Sequence, residues 1–175
     1  MDDRAPTTAG RLMRVLRHLF APSARRLFPA DRLERIAAAI TASELRHSGE
    51  ICFAVEPGLH PRAAWAGMQA RDRAAEVFAQ LGVWDTQANN GVLLYLLLAD
   101  HRIEIIADRG LDPQVSAQQW RGVCQLIEEG LKAGEPEAAL LRGIDAVSAL
   151  LAQHFPRVEG LRDHDELSNQ PRLLD

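Results

Sequence analysis

The amino-acid sequence predicts an α/β protein, with a three-layer α/β/α sandwich around a small mixed sheet. The first observation is the run from Val92 to Leu98, seven apolar or aromatic residues that are typical of a strand buried on both faces. Such a strand needs helices packed on each side of its sheet. The second observation is the periodicity of the flanking segments, which gives the order helix, strand, helix, strand, strand, helix, helix. At 175 residues the chain is long enough for one domain with a substantial core.

The first predicted helix of this domain has Asp31 as its N-cap and runs to about His47. Asp31 and Glu34 have the spacing of a capping box, in which each side chain satisfies a free backbone N–H of the first turn. A Ser-Gly pair ends the helix. The residues from Glu50 to Val55 then have the composition of a first strand, which a Pro-Gly pair closes.

A second long helix is predicted from Pro61 to about Leu81. Proline suits its first turn, and the glycine at position 82 provides the stop. Its apolar positions are expected to point inward: Trp65, Met68, Ala75 and Phe78. Because this helix joins the first strand to the apolar strand, those two strands are expected to be parallel through a right-handed crossover.

The third strand is predicted from Arg102 to Asp108, and two helices follow it. The link of only three residues after the apolar strand makes this pair an antiparallel hairpin. Ser116 and Gln119 form a second capping box, at the start of the next helix. Pro136 begins the last helix, which has an apolar face suited to the core.

Terminal segments flank the predicted domain, which covers residues 30–156. Residues 1–29 contain a basic amphipathic segment, in which Leu12, Val15, Leu16, Leu19 and Phe20 share one helical face and arginines occupy the rest. Two interpretations stay open for residues 11–28: contact with an anionic membrane surface, or docking on the protein's own body. Residues 157–175 lack periodicity, so we expect a mobile polar tail.

Composition limits the class of protein. The net charge of −4 divides into +4 over residues 1–32 and −8 over the remainder, so the acidic body disfavours nucleic-acid binding. The apolar runs are too short for a secretory signal or a membrane span, and we expect a cytoplasmic protein with peripheral contact at the inner membrane as the alternative. Cys52 and Cys124 are expected to be reduced core thiols.

Polar residues are expected to converge at one edge of the sheet, which we call the rim. In the predicted topology the starts of strands one and two and the end of strand three lie together there. The rim residues that could bind a cation are Glu50, Asp85, Asn89, Asn90 and Asp108. Oxygen ligands of this kind suit Ca²⁺ or Mg²⁺, so the rim is either a divalent-cation site or a purely structural edge of turns and strand ends.

The chain also resembles a known family, the TPM domain family of bacterial envelope proteins and thylakoid-lumen proteins linked to photosystem repair. The residues that carry the resemblance are Gly49–Ile51, Ala74–Phe78, Asn90–Leu94, Arg102–Ile105, Asp108–Leu111 and Gly143-Ile144. The resemblance covers about Leu33 to Phe155 and implies an α/β/α sandwich. This chain looks like the short, soluble bacterial branch that accompanies an exported TPM protein.

Three functions stay open, and the sequence does not decide which of them applies or whether the chain is an enzyme. The first is a non-catalytic accessory domain, dependent on a cation, in the maintenance of envelope or membrane proteins. The second is a metal-dependent acid phosphatase of low activity, in which Arg109 would neutralise charge on the phosphate. The third is a structural partner of another TPM-domain or membrane protein, with no need for a metal.

Overall fold

The computed structural model describes residues 7–157 and 167–174. Its helices are α1 (Thr8–Leu19), α2 (Ala24–Leu27), α3 (Ala30–Ser43), α4 (Pro61–Ala66), α5 (Ala70–Gln80), α6 (Ala117–Lys132) and α7 (Pro136–His154). Its strands are β1 (Glu50–Glu56), β2 (Gly91–Leu97), β3 (Arg102–Ala107) and β4 (Arg172–Leu173). Within the described ranges, none of these helices has the length and apolar character needed to cross a membrane.

The four strands form one mixed sheet in the order β3-β2-β1-β4. β1 and β2 are parallel, and Glu50 lies opposite Gly91; β2 and β3 are antiparallel, and Val92 lies opposite Ala107. Both pairings confirm the sequence prediction, in which a helical connection suits parallel strands and a three-residue link requires an antiparallel hairpin.

The strand β4 was not predicted. It lies parallel to β1, with Arg172 opposite Ala54, inside the segment for which the sequence indicated a polar tail. A strand of two residues after a proline is too short to show the alternation of apolar and polar residues by which a strand is recognised in a sequence. The expectation of an unstructured tail is therefore wrong at this point, and residues 158–166 and 175 lie outside the described residues.

The side chains of β1 alternate between two hydrophobic cores. Phe53 and its odd-numbered neighbours pack with α3, α6 and α7, whose contributions include Ile36, Ile127 and Val147. The even-numbered residues of β1 pack with α4 and α5, through Ala74 among others. Helices on both faces of the sheet confirm the predicted α/β/α sandwich. Because the helices cover both faces, the polar side chains of the sheet lie at the ends of the strands.

The first core helix, α3, begins two residues earlier than the sequence predicted. Pro29 is its N-cap, and the carboxylate of Asp31 pairs with Arg35 at 2.9 Å, so the proposed capping box with Glu34 does not form. The helix also ends at Ser43, before the predicted end at about His47. By contrast, the capping box of Ser116 and Gln119 at the start of α6 is confirmed.

The predicted long second helix is two helices, α4 and α5. Gly67 has a φ of +85° and ends α4, and a new capping box between Gln69 and Asp72 starts α5. A left-handed residue cannot continue a right-handed helix, so the chain turns here. The prediction that Trp65 and Ala75 point into the core is wrong, because both residues are exposed, Trp65 to 42%.

Candidate functional site

The strand ends of the rim meet as the sequence predicted. The N–H of Asp108 donates to the carbonyl oxygen of Gly91 at 2.9 Å, and Gly91 in turn lies opposite Glu50. These hydrogen bonds hold the start of β1, the start of β2 and the end of β3 side by side. The convergence follows from the sheet register alone.

The loop before β2 packs its backbone directly on the rim. A Cβ atom on Gly91 would lie 2.1 Å from the carbonyl oxygen of Val83, and one on Gly110 would lie 2.4 Å from that of Asn89. Asn89 itself has a φ of +51°, which asparagine tolerates better than most residues. The close approach of backbone segments therefore requires glycine at positions 91 and 110.

Asn90 is a buried structural residue of the rim. Its side-chain Nδ2 donates to the carbonyl oxygen of Ser48 at 2.8 Å, and its backbone N–H donates to the hydroxyl of Thr86 at 3.1 Å. These two bonds join the starts of β1 and β2 to the loop between α5 and β2. The side chain and the backbone of Asn90 therefore both hold the turn in place.

Asp108 and Arg109 hold the other side of the rim. The buried carboxylate of Asp108 accepts the backbone N–H of Arg109 through Oδ1 at 2.7 Å. Its second oxygen, Oδ2, is buried and has no hydrogen-bond partner among the described residues. The guanidinium Nε of Arg109 donates to Oδ1 of Asn89 at 3.1 Å, so the group proposed for phosphate binding already holds the turn.

The remaining two predicted ligands, Glu50 and Asp85, differ in burial. Glu50 is buried and accepts the backbone N–H of Leu167 at 3.4 Å, whereas Asp85 is exposed on the loop before β2. Within the described ranges, no three His, Cys, Asp or Glu side chains are grouped as a metal site would need. A cation at this edge would be held by Asp108 with amide and carbonyl oxygens, which are hard ligands suited to Ca²⁺.

A second polar cluster, at the opposite edge of the sheet, anchors α1. The carboxylate of Asp100 accepts Arg14 at 3.2 Å, forms an ion pair with Arg17, and lies 3.2 Å from Nε2 of His18. Arg14 also donates to the carbonyl oxygens of Ala64 and Met68. We call Asp100 with these three basic residues the α1 anchor.

His18 is the most buried member of the α1 anchor. Its Nδ1 accepts the backbone N–H of Leu59 at 3.0 Å, which requires that this nitrogen carry no proton. Burial lowers the pKa of His18, an effect that Asp100 opposes and that Arg14 and Arg17 reinforce. The glycine at position 58 admits this contact, because a Cβ there would lie 2.4 Å from the carbonyl oxygen of His18.

The anchor turns the apolar side of α1 outward. The exposed fractions are 51% for Leu12, 66% for Met13, 37% for Leu16, 55% for Leu19 and 80% for Phe20. These five residues recur at helical spacing and form one continuous stripe, which we call the α1 face. The helix docks on the domain, as one interpretation expected, but it does so through its basic side.

A buried network around Glu56 lies on β1 and β2 near the same edge. The hydroxyl of Tyr95 donates to Glu56 at 2.5 Å, and Arg73 donates to the same carboxylate at 2.9 Å. Burial, with the hydrogen bond to Glu56 as the second cause, raises the pKa of Tyr95. The network satisfies a carboxylate buried beneath α5, and it has a structural role.

The two cysteines are free thiols inside the domain. Burial raises the pKa of both Cys52 and Cys124 to about 11. Both thiols therefore stay protonated near neutral pH, in which form they are poor nucleophiles. Cys52 is buried and Cys124 packs partly buried against the core, in the positions that the sequence predicted.

Comparisons with known proteins agree with this architecture. The TPM domain model matches residues 24–150, a range that begins after α1. The NMR structure of BA42 protein from the psychrophilic bacterium Bizionia argentinensis is 30% identical, with a TM-score of 0.73 over 83% of this chain and 94% of that one. The N-terminal domain of a protein from P. gingivalis is 20% identical, with a TM-score of 0.60 over 78% and 86% of the two chains. Among curated proteins, none matches this chain. The chain belongs to the TPM domain family.

Proposed function

We propose that this TPM domain is a non-catalytic accessory domain that binds a partner through the α1 face, in the maintenance of envelope or membrane proteins. The single observation that carries the proposal is the inverted packing of α1, with its arginines on Asp100 and its apolar side chains in solvent. An amphipathic helix without a partner normally buries its apolar side. Here the domain keeps that side available.

The physical cost of the arrangement supports a binding role for the α1 face. Burying a large apolar side chain stabilises a protein by about 1.5–3 kcal/mol, and this helix forgoes that gain at several positions. Contiguous apolar surface of this kind marks sites of protein or membrane contact. Because polar contacts hold the helix in place, the face can enter a complex without detaching α1 from the domain.

The proposal predicts that the α1 face is covered in the cell. Met13→Cys places a thiol in the exposed stripe, and the native cysteines react slowly because their pKa is about 11. We expect the maleimide labelling rate of Met13→Cys to be several-fold lower in permeabilised cells of the source organism than in purified protein.

A matched control for this labelling experiment is Leu45→Cys. Leu45 is 69% exposed, as Met13 is at 66%, and it lies between α3 and β1, away from α1. Its labelling rate should be the same in permeabilised cells and in purified protein after correction for general reagent access. Equal ratios for the two cysteines would contradict the proposal.

A second candidate function, divalent-cation binding at the rim, is favoured by Oδ2 of Asp108, which has no hydrogen-bond partner in the described part of the chain. A buried carboxylate oxygen without a hydrogen bond costs free energy that a cation could recover. Titration calorimetry of Ca²⁺, then Mg²⁺, into chelator-treated protein tests this. Asp108→Asn is the matched variant because it keeps an oxygen to accept the N–H of Arg109. Binding to the parent and not to the variant is expected, and no heat with either cation contradicts the site.

The acid phosphatase that the family resemblance implies would depend on the same rim. It predicts phosphate-ester hydrolysis that a chelator abolishes and that Asp108→Asn reduces to background. Arg109→Gln should then raise the KM for the ester, because Arg109 would have to exchange Asn89 for the substrate phosphate. Hydrolysis that survives the chelator and both substitutions would place any activity elsewhere.

A further inference from the structure

We propose that the partner of the α1 face is the surface of an anionic phospholipid bilayer, whose phosphate groups are bound by arginines beside that face. This inference rests on the proposed function and names its partner. It is argued from a pocket next to α1, from the exposure of the arginines that line it, and from the charge of the surrounding segment.

The pocket lies between α1, the start of α5 and β3. Its volume is about 600 Å³, and its charged lining consists of Arg14, Arg17, Arg71, Arg102, Asp100 and Glu104. Four guanidinium groups against two carboxylates leave a net charge of +2. Arg14 and Arg17 also line the apolar hollow formed by Met13 and Leu16, so the pocket and the α1 face are continuous.

The positive charge of the pocket points outward. The side chains of Arg17, Arg71 and Arg102 are 54%, 61% and 62% exposed, while those of Asp100 and Glu104 are only 12% and 25% exposed. Each guanidinium has five N–H donors in a planar fork that matches phosphate oxygens. Asp100 and Glu104 pair with Arg17 and Arg71, and Glu128, outside the pocket lining, pairs with Arg102 at 3.5 Å. Because more than half of each of these arginine side chains is exposed, each keeps N–H groups that can bind a lipid phosphate.

The segment around the α1 face extends this basic character. Residues 7–30 contain five arginines and no aspartate or glutamate. Arg25 and Arg26 on α2 are exposed, and neither forms an ion pair with another of the residues that the structure describes. An apolar stripe bordered by arginines is the arrangement that lets a helix lie in the interface of an anionic membrane.

Charge also argues against a second copy of this chain as the partner. A two-fold contact would bring the same arginine-rich surface of each copy together, and like charges at an interface oppose association. A bilayer with anionic headgroups supplies the opposite charge over a wide area and accepts the large apolar side chains at the same time. We therefore assign the α1 face to a membrane.

Flotation of the full-length protein with lipid vesicles tests the inference. We expect binding to vesicles of phosphatidylcholine mixed with phosphatidylglycerol, and at least about tenfold weaker binding to phosphatidylcholine alone, because the arginines would lose their phosphate-rich anionic surface. Phe20→Asp should weaken binding at least about tenfold by removing the most exposed apolar side chain of the α1 face. Leu45→Asp, an equally polar change at an exposed leucine away from α1, should bind as the parent does.

The arginine pocket has its own variants, Arg71→Gln and Arg102→Gln. Each substitution should weaken binding to the anionic vesicles about fivefold. In the double variant, the affinity for these vesicles should change less with salt concentration than it does in the parent protein. Unchanged thermal unfolding of all variants, followed by circular dichroism, shows that the fold is retained. Arg14 and Arg17 are left in place because they belong to the α1 anchor.

Three results would overturn the inference. Equal binding to neutral and anionic vesicles would remove the role of the arginines, and equal binding by Phe20→Asp would remove that of the α1 face. Concentration-dependent dimers that Phe20→Asp dissociates, without vesicle binding, would assign the face to a second copy. In each case, protection of Met13→Cys in cells would still support the proposed function, and its absence would reject both.

Discussion

The rim and the α1 anchor are two polar clusters at opposite edges of one sheet, and they use their polar groups differently. At the rim, Asn90 and Arg109 bind the backbone and side chains of neighbouring turns. At the α1 anchor, Asp100 draws a basic helix face onto the domain from residues more than 80 positions away. The rim closes the sheet, whereas the anchor positions a separate surface.

The difference shows which of the two clusters offers a surface for a binding partner. Polar residues at strand ends are the ones that a sequence indicates as binding residues. At the rim, however, most of them form hydrogen bonds within the chain. The anchor also engages its polar groups, but the consequence is an apolar stripe in solvent. A charged cluster can therefore create a binding surface without using its own charged groups for binding, because it holds the apolar side of a helix in solvent.

The largest expected effect concerns the closed rim and compares two glycines. Gly91→Ala would force a Cβ to within 2.1 Å of the Val83 carbonyl oxygen, and we expect the free energy of unfolding to fall by about 3 kcal/mol. Gly122→Ala, in α6 with open space around it, should raise that free energy by about 1 kcal/mol through helix propensity. Urea titrations measure both. Similar values for the two variants would show that the rim is not tightly closed.

A smaller and more local effect is expected at the α1 anchor. Asp100→Ala leaves Arg14, Arg17 and His18 without their carboxylate, and we expect a loss of about 2 kcal/mol, limited because α1 can leave the domain and hydrate. Amide hydrogen exchange should show loss of protection confined to α1 and α4. Asp112→Ala, at an exposed aspartate, is the control and should change neither measurement. Retained protection of α1 would contradict its attachment through Asp100.

The smallest expected effect is a pH dependence of the same contact. Burial lowers the pKa of His18, so below about pH 6.5 the unfolded chain takes up a proton before the folded chain does. Stability from this group is therefore complete above that pH and decreases as the pH falls toward the lowered pKa. His18→Asn, whose carbonyl can accept the Leu59 N–H, should weaken this decrease between about pH 7.5 and pH 5.5. An identical pH profile for parent and variant would remove His18 as the cause.

The sheet could be predicted from the sequence because its signals are local. The apolar run of β2 and the short link to β3 determine which strands pair and in which direction, and the rim follows from that register. The division of the second helix also had a local signal, since Gly67 precedes the Gln69–Asp72 capping box. The capping box assigned to Asp31 was wrong because Arg35 binds the same carboxylate.

The orientation of α1 could not be predicted, because the decisive contacts are distant in sequence. Its period shows that one side is apolar, but whether that side faces the domain depends on Asp100 and on the carbonyl oxygens of Ala64 and Met68. Nothing in the pattern of residues 8–19 indicates these acceptors. Likewise, no sequence pattern indicates that Oδ2 of Asp108 has no hydrogen-bond partner among the residues that the structure describes.

The most direct test of the central claim compares two neighbouring cysteines on α1 in the purified protein. Met13 is 66% exposed on the α1 face, whereas Val15 packs against the core beneath α1. The inverted packing predicts that a maleimide labels Met13→Cys many-fold faster than Val15→Cys, with Leu45→Cys at the fast rate. Labelling of Val15→Cys as fast as that of Met13→Cys would contradict the orientation, and with it the α1 face as a binding surface.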